Sequence, residues 1–268
     1  MTSDNQRLAF DAVAEIYDRA RMRYPAQLFD DLFAYLGIEG GAVRAVEIGP
    51  GTGQATEPLL VRGATVTAVE IGPRLAAYLS GKLAGRRIEV VNAAFEDARL
   101  PEGAFDLVLS ANAWHWVEAS VRLVKARRLL RPGGALALIG ANQIRSEADR
   151  GYFDRTFSIY KRYRPDEQQV ESPGEDVVPP EYHEVESSGR FEDVRLLRYR
   201  SDQTYETAAY ADLVRSYSNT QTMEPAPREA LIADLCEVID REYGGVVVRP
   251  IVVTLTIGRR AAGDPGRL

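Results

Sequence analysis

The sequence predicts an α/β fold built on a doubly wound, mostly parallel sheet with helices on both faces. Three observations predict it. Short β-rich runs alternate with helical patterns from Val43 to Ala141, the first run ends in the glycine cluster Gly49-Pro50-Gly51-Thr52-Gly53, and the second ends in an acidic residue, Glu70. Strands separated by helices of this length need crossover connections, and so lie parallel.

The elements follow in order. Ala42 to Ile48 reads as a buried strand, and Gln54 to Val61 has helical composition. Ala64 to Glu70 is a second strand, followed by a helix from Pro73, a residue suited to a first helical position. Arg87 to Val91 and Phe105 to Ser110 are the third and fourth strands. Glu118 to Leu130 has helical spacing, with Arg131-Pro132-Gly133-Gly134 as its stop, and Ala135 to Gly140 is a fifth strand. Residues 1–35 read as helical, broken at Tyr24-Pro25, and 146–164 are rich in aromatic residues. The acidic, proline-containing stretch 165–188 reads as a mobile loop. Val194 to Tyr199 suggests a strand, Tyr205 to Ser216 and Ala226 to Tyr243 suggest helices, and Val246 to Ile257 suggests a strand or hairpin interrupted by Pro250.

Composition bounds the function. With 268 residues, 45% of them hydrophobic, the chain suits one large α/β domain with extra elements. The expectation is a single domain over 1–268, divided into an N-terminal helical lid (1–35), a ligand-binding core (43–141), an insertion with a mobile loop (146–190) and C-terminal strands and helices (191–258). No run approaches the roughly 20 apolar residues that cross a bilayer, and the first residues lack the pattern of a secretory signal. Cys236 is the single cysteine, which excludes an intrachain disulfide and cysteine-pair metal sites; a reducing, cytoplasmic setting is expected, with no metal. A net charge of −6 argues against a phosphate backbone as partner, since counterion release on a basic face drives that binding. Arg127-Arg128 and Arg259-Arg260 read as a helix end and a solvated tail.

The chemistry-bearing signal is Glu47-Ile48-Gly49-Pro50-Gly51-Thr52-Gly53, at the first strand-to-helix turn. Glycines let such a turn close tightly and approach a ligand, because no Cβ intervenes. A dinucleotide fingerprint would read Gly-x-Gly-x-x-Gly, and Gln54 stands where that pattern wants glycine. Glu70, at the end of the second strand, is placed to accept hydrogen bonds from both hydroxyls of a ribose and would repel a 2′-phosphate.

With these pieces, residues 43–141 resemble the core of class I S-adenosylmethionine-dependent methyltransferases, a Rossmann-like fold. The resemblance rests on Glu47 to Gly53, Glu70, Phe95-Glu96-Asp97 before Leu100-Pro101, Phe105 to Val108, and Leu130 to Gly134. Phe10 to Pro25 extends it toward small-molecule methyltransferases of the trans-aconitate methyltransferase-like group. The resemblance implies S-adenosyl-L-methionine as cofactor, a small-molecule acceptor, and one or more antiparallel strands at the C-terminal end of the sheet. By the same resemblance, Gly49, Gly51 and Gly53 pass under the methionine part and ribose, with Glu47 shaping the turn. Glu70 holds the ribose, Ile71 packs on the adenine, and Ala94 and Phe95 border its edge. Relatives often carry aspartate near position 94; alanine here leaves the adenine amino group to the backbone or to Glu96. Ser110, Ala111 and Asn112 face the sulfonium. Tyr17, Arg21, Arg23 and Tyr24 belong to the segment that closes over the cofactor in that group, where arginine can hold a carboxylate through paired hydrogen bonds.

Ala113-Trp114-His115-Trp116 follows the fourth strand, where an acceptor would sit. His115 either takes a proton from the acceptor, as the candidate catalytic group, or hydrogen-bonds locally and shapes the pocket. Tyr24, Asn112, His115, Tyr152 and Tyr160 are the candidate acceptor-binding residues. Transfer or cyclisation of the cofactor's aminocarboxypropyl arm, and a non-catalytic binding role, stay open beside methyl transfer; a nicotinamide oxidoreductase is disfavoured by Gln54.

Overall fold

The computed structural model describes residues 18, 22–38, 42–166, 168 and 172–262. The expected lid therefore lies mostly outside the described residues, and Tyr17 and Arg21 with it. Helix α1 (Ala26–Leu36) buries Leu28, Phe29, Leu32, Tyr35 and Leu36, a helical spacing, and ends at Gly37 in the left-handed conformation. Strand β1 (Arg44–Ile48), helix α2 (Thr56–Val61), strand β2 (Thr65–Glu70), helix α3 (Pro73–Lys82), strand β3 (Ile88–Asn92) and strand β4 (Phe105–Ala111) follow as the alternation predicts. Pro73 stands at the start of its helix as expected. Helix α4 (Ala119–Leu129) leads into strand β5 (Leu130–Gln143).

Here one expectation is corrected. The helix ends at Leu129, beside the expected stop, but the fifth strand starts well before Ala135, so that Arg131 to Gly134 already belong to β5. They are an irregularity in the ladder, because Phe105 pairs with Leu130 while Leu107 pairs with Ala135. The backbone approaches closely there: a Cβ on Gly134 would lie 3.0 Å from the Phe105 carbonyl oxygen.

Beyond β5 come helix α5 (Tyr152–Tyr163), helix α6 (Pro180–Ser187), strand β6 (Phe191–Arg200), strand β7 (Gln203–Glu206), helix α7 (Thr207–Arg215), a short helix α8 (Ser218–Gln221), helix α9 (Pro225–Glu242), and strands β8 (Val246–Arg249) and β9 (Ile251–Arg260). Helix α6 corrects the reading of 165–188 as loop throughout. Pro180 occupies its first turn with Glu181, favourable to a helix N-terminus, and Val185 is fully buried.

Among the described residues the main sheet has seven strands in the order β3-β2-β1-β4-β5-β9-β6, and β7 pairs with β8 in a separate two-stranded ladder. The pairs β2–β3, β1–β2, β1–β4 and β4–β5 are parallel. Next to β9 the numbering runs oppositely: Ile144 N–H donates to Pro250 O, whereas the Thr254 hydroxyl donates to Gly140 O. Likewise Ser201 N–H meets Ile251 O and Ala261 N–H meets Arg190 O. The C-terminal strand is thus antiparallel to its neighbours. Pro250 separates β8 from β9, so Val246 to Ile257 is two strands in two sheets.

The described residues cluster in two compact units. One comprises residues 23–141, 178–199 and 253–262, the other chiefly Asn142–Val177 and Arg200–Val252. The first has its core between sheet and helices, including Val46, Ile48, Val108, Trp114 and Leu136. The second is held by Tyr152, Tyr210, Leu213, Leu231, Leu235 and Val247, with α9 packed on α5 and α7.

Candidate functional site

In the order β3-β2-β1-β4-β5 the chain reverses direction of growth between β1 and β4. Ligands of open α/β sheets bind outside the carboxyl ends of the strands at such a reversal. The turn after β1 and the residues that leave β4 meet there. Gly49, Gly51 and Gly53 all have positive φ. Gly49 has no room for a side chain, since a Cβ would lie 2.6 Å from the Ala113 Cβ. The glycine cluster is therefore required both by backbone conformation and by close approach of the two loops.

Glu70 is 4% exposed. Its Oε2 accepts the Gly51 N–H at 3.1 Å and its Oε1 the Gly72 N–H at 2.9 Å. Asn92 donates to the carbonyls of Glu70 (2.8 Å) and Ile71 (3.1 Å), which fixes the chain that leaves β2 and places half-buried Ile71. Glu47 is buried beneath the turn and accepts the Thr56 hydroxyl at 2.6 Å. Burial, opposed by that hydrogen bond and reinforced by the charge of Glu70, pushes its carboxyl up to about 7. Gln54 turns inward and donates to the Thr52 hydroxyl at 2.6 Å. Lys82 of α3 donates to the Thr52 carbonyl at 2.9 Å and pairs with Glu57.

At the end of β4, buried Ser110 donates to the Ile48 carbonyl at 3.3 Å, and Ala111 is half-buried. Asn112 adopts φ 53°. Its N–H donates to Ile139 O, its Oδ1 accepts the Ala141 N–H, and its Nδ2 donates to the Tyr24 hydroxyl at 2.9 Å. Tyr24 and Asn112 are thus brought together from opposite ends of the segment. Ala94 is half-buried, whereas Phe95 lies in the core beneath Lys125. Glu96 accepts the Glu118 N–H at 2.9 Å through Oε1.

Trp114 to Trp116 form one 3₁₀ turn. Trp114 is buried, and its indole N–H donates to Glu184 Oε2 at 3.0 Å. Arg122 grips the same carboxylate with two hydrogen bonds, 2.7 and 2.8 Å, and lies over the Trp114 ring. His115 is exposed and stacks at 4.8 Å on Trp116. Desolvation on its packed side, opposed by Glu181, holds its pKa below the usual histidine value. Arg122 and Glu184 were not singled out in the sequence; the one available signal was Pro179-Pro180 ahead of a helical Val185.

The other expected residues lie elsewhere. Tyr160 lines a cavity within the second unit, together with Arg145. Tyr152 does not line it: its side chain is fully buried in that unit's core, in edge-on contact with Phe153, Tyr210 and Tyr243. Arg155 is paired with Glu242. His183 is exposed on α6. Among the described residues no cluster of His, Cys, Asp and Glu could hold a metal ion, and no helix is long and apolar enough to cross a membrane.

Comparison with known proteins agrees with this geometry. Residues 46–138 match the family model described as methyltransferase domain. An uncharacterized methyltransferase of Mycobacterium tuberculosis is 34% identical over 132 residues, 49% of this chain and 51% of its own length. The chain thus spans about half the length of the curated relatives it matches. Among solved structures, a provisionally assigned type II methyltransferase from Anaeromyxobacter dehalogenans superposes with a TM-score of 0.57 at 22% identity, covering 90% of this chain and 96% of that one. A Haemonchus contortus phosphoethanolamine N-methyltransferase, solved with phosphomonomethylethanolamine and S-adenosylhomocysteine, gives 0.53 at 12% identity, covering 93% of this chain and 57% of that one. At these identities the structural likeness speaks for the fold. Family match, sheet order and glycine turn together identify residues 46–138 as a class I S-adenosylmethionine-dependent methyltransferase domain.

Proposed function

We propose that the chain transfers the methyl group of S-adenosyl-L-methionine to an O, N or C atom of a small-molecule acceptor. The observation that carries this reading is the buried Glu70 carboxylate, held against the glycine turn at the reversal of the sheet. A carboxylate accepts about four hydrogen bonds. Such a carboxylate can accept from ribose hydroxyls, and its charge disfavours a phosphorylated ribose. Gly49, Gly51 and Gly53 suit the methionine part and ribose, Ile71 and Ala94 the adenine, and Ser110 and Ala111 the sulfonium end.

The bound cofactor supplies an already activated methyl group. What remains for the protein is alignment and exclusion of water, a contribution of roughly 7–11 kcal/mol in favourable cases. Asn112 and Tyr24, hydrogen-bonded to each other, orient the acceptor beside Ser110. His115, exposed and held below the usual histidine pKa, accepts a proton from an acceptor hydroxyl or amine. Negative net charge favours a small acceptor over nucleic acid.

The test is a screen of small acceptors in which the adenosyl product is identified by mass spectrometry. S-adenosylhomocysteine is the expected product. Methylthioadenosine in its place would mean that the aminocarboxypropyl arm, not the methyl group, is transferred.

A further inference from the structure

The unit formed by Asn142–Val177 and Arg200–Val252 contains a cavity of about 630 Å³. Its volume is in the range of small-molecule pockets. Phe153, Phe157 and Tyr160 of α5 supply apolar wall, and Tyr217 and Arg249 face the same space. The charged groups on the wall are Arg145, Arg164 and Arg249 against Asp149 and Asp154, so cations predominate.

Arg249 is the unusual member. Its Nε–H donates to Gln143 Oε1 at 3.1 Å, and its guanidinium carbon lies 5.6 Å from the centre of the Tyr217 ring. No carboxylate pairs with it among the described residues. The groups that act on it electrostatically are phenols, those of Tyr217, Tyr210, Tyr205 and Tyr160. Burial keeps the Tyr160 and Tyr210 hydroxyls well above their ordinary pKa, so these phenols are neutral at physiological pH. The guanidinium is thus a half-buried cation, partly withdrawn from water among neutral aromatic rings. A desolvated charge is costly unless an opposite charge meets it, and guanidinium meets a carboxylate through two parallel hydrogen bonds.

We propose that this cavity is a binding site for a small organic anion, a carboxylate on an aromatic body. The carboxylate lies on the Nη groups of Arg249, and the ring packs on Phe153, Phe157 and Tyr160. Gln143, by holding Nε, orients the guanidinium fork toward the ligand. Titration with an aromatic acid reports on this cavity, and titration with S-adenosylhomocysteine on the glycine turn.

The experiment is ligand-observed NMR titration of the native chain with benzoate and phenylacetate, each against its neutral amide, benzamide and phenylacetamide. The acids are expected to bind at least tenfold tighter than the amides. In Arg249→Met, checked for retained folding by its thermal transition, that preference is expected to vanish, whereas Arg249→Lys keeps part of it. Equal binding of acid and amide to the native protein, or no binding of either, would overturn the proposal without recourse to any variant. So would an acid preference that survives in a folded Arg249→Met.

Discussion

The Glu70 carboxylate, at the end of β2, accepts the backbone N–H of Gly51 in the turn that follows β1, at 3.1 Å. The same side chain takes the Gly72 N–H ahead of α3. One acidic group therefore fixes the relative position of two loops at the carboxyl edge of the sheet, before any ligand arrives. Preorganisation of this kind lowers the ordering cost of binding. It also means that Glu70 variants test turn geometry and ligand contact together, so a thermal transition must accompany each binding measurement.

Gly49→Ala separates two causes of one glycine requirement. The position combines φ 62° with a Cβ-to-Cβ distance of 2.6 Å to Ala113. A loss of about 2–4 kcal/mol in denaturant unfolding is expected from strain plus overpacking. Adding Ala113→Gly removes the clash and should recover roughly half, leaving about 1–2 kcal/mol of backbone strain. No recovery would mean that the two loops do not meet as described.

Glu47 should make stability depend on pH. Its carboxyl is raised in the folded protein to about 7, from an ordinary value of 4.5, so the fold favours the protonated form. That contribution is complete below the unfolded value and is lost as pH rises toward 7 and above, by at most about 3 kcal/mol. Glu47→Gln should match the native protein near pH 5 and gain on it at pH 8, measured by urea unfolding at both. An unchanged difference between native and variant across that range would contradict the assignment.

Much of this was legible in the residues, and what was not has physical causes. The β1-to-β5 alternation, Pro73 and the glycine turn are local signals, and the structure follows them closely. Two misreadings came from tertiary context. Pro179-Pro180 within an acidic stretch looks like loop composition, yet Pro180 starts a helix whose Val185 is buried and whose Glu184 is held by Trp114 and Arg122. Arg131 to Gly134 look like a helix stop, but the glycines let β5 begin early against β4. Tyr152 and Tyr160 share one helix and similar neighbours in sequence; only packing decides that one fills the core and the other faces a cavity.

Glu184 secures α6 against the Trp114 turn. Glu184→Ala leaves the indole N–H and a partly buried guanidinium without their acceptor, at an expected cost of about 2–4 kcal/mol. Tryptophan emission should shift to the red as Trp114 becomes hydrated. Unchanged stability and emission would show that the carboxylate does not hold this turn.

The hydroxyl of Tyr152 is buried and makes no well-aligned hydrogen bond, the Tyr210 phenol being the polar group it interacts with. Tyr152→Phe keeps the ring and removes a poorly aligned polar contact with Tyr210, so it should change stability by no more than about 1 kcal/mol. Tyr152→Ala should cost about 3–5 kcal/mol by emptying the core. A larger loss on Tyr152→Phe would reveal a stronger hydrogen bond at that hydroxyl.

The most direct measurement of the central claim is calorimetric titration of the native protein with S-adenosylmethionine and S-adenosylhomocysteine, repeated on a folded Glu70→Ala variant. Micromolar binding of both ligands to the native protein, weakened at least tenfold on loss of Glu70, is the predicted result. Absence of binding to the native protein, or binding indifferent to Glu70, would contradict the placement of the cofactor on the glycine turn.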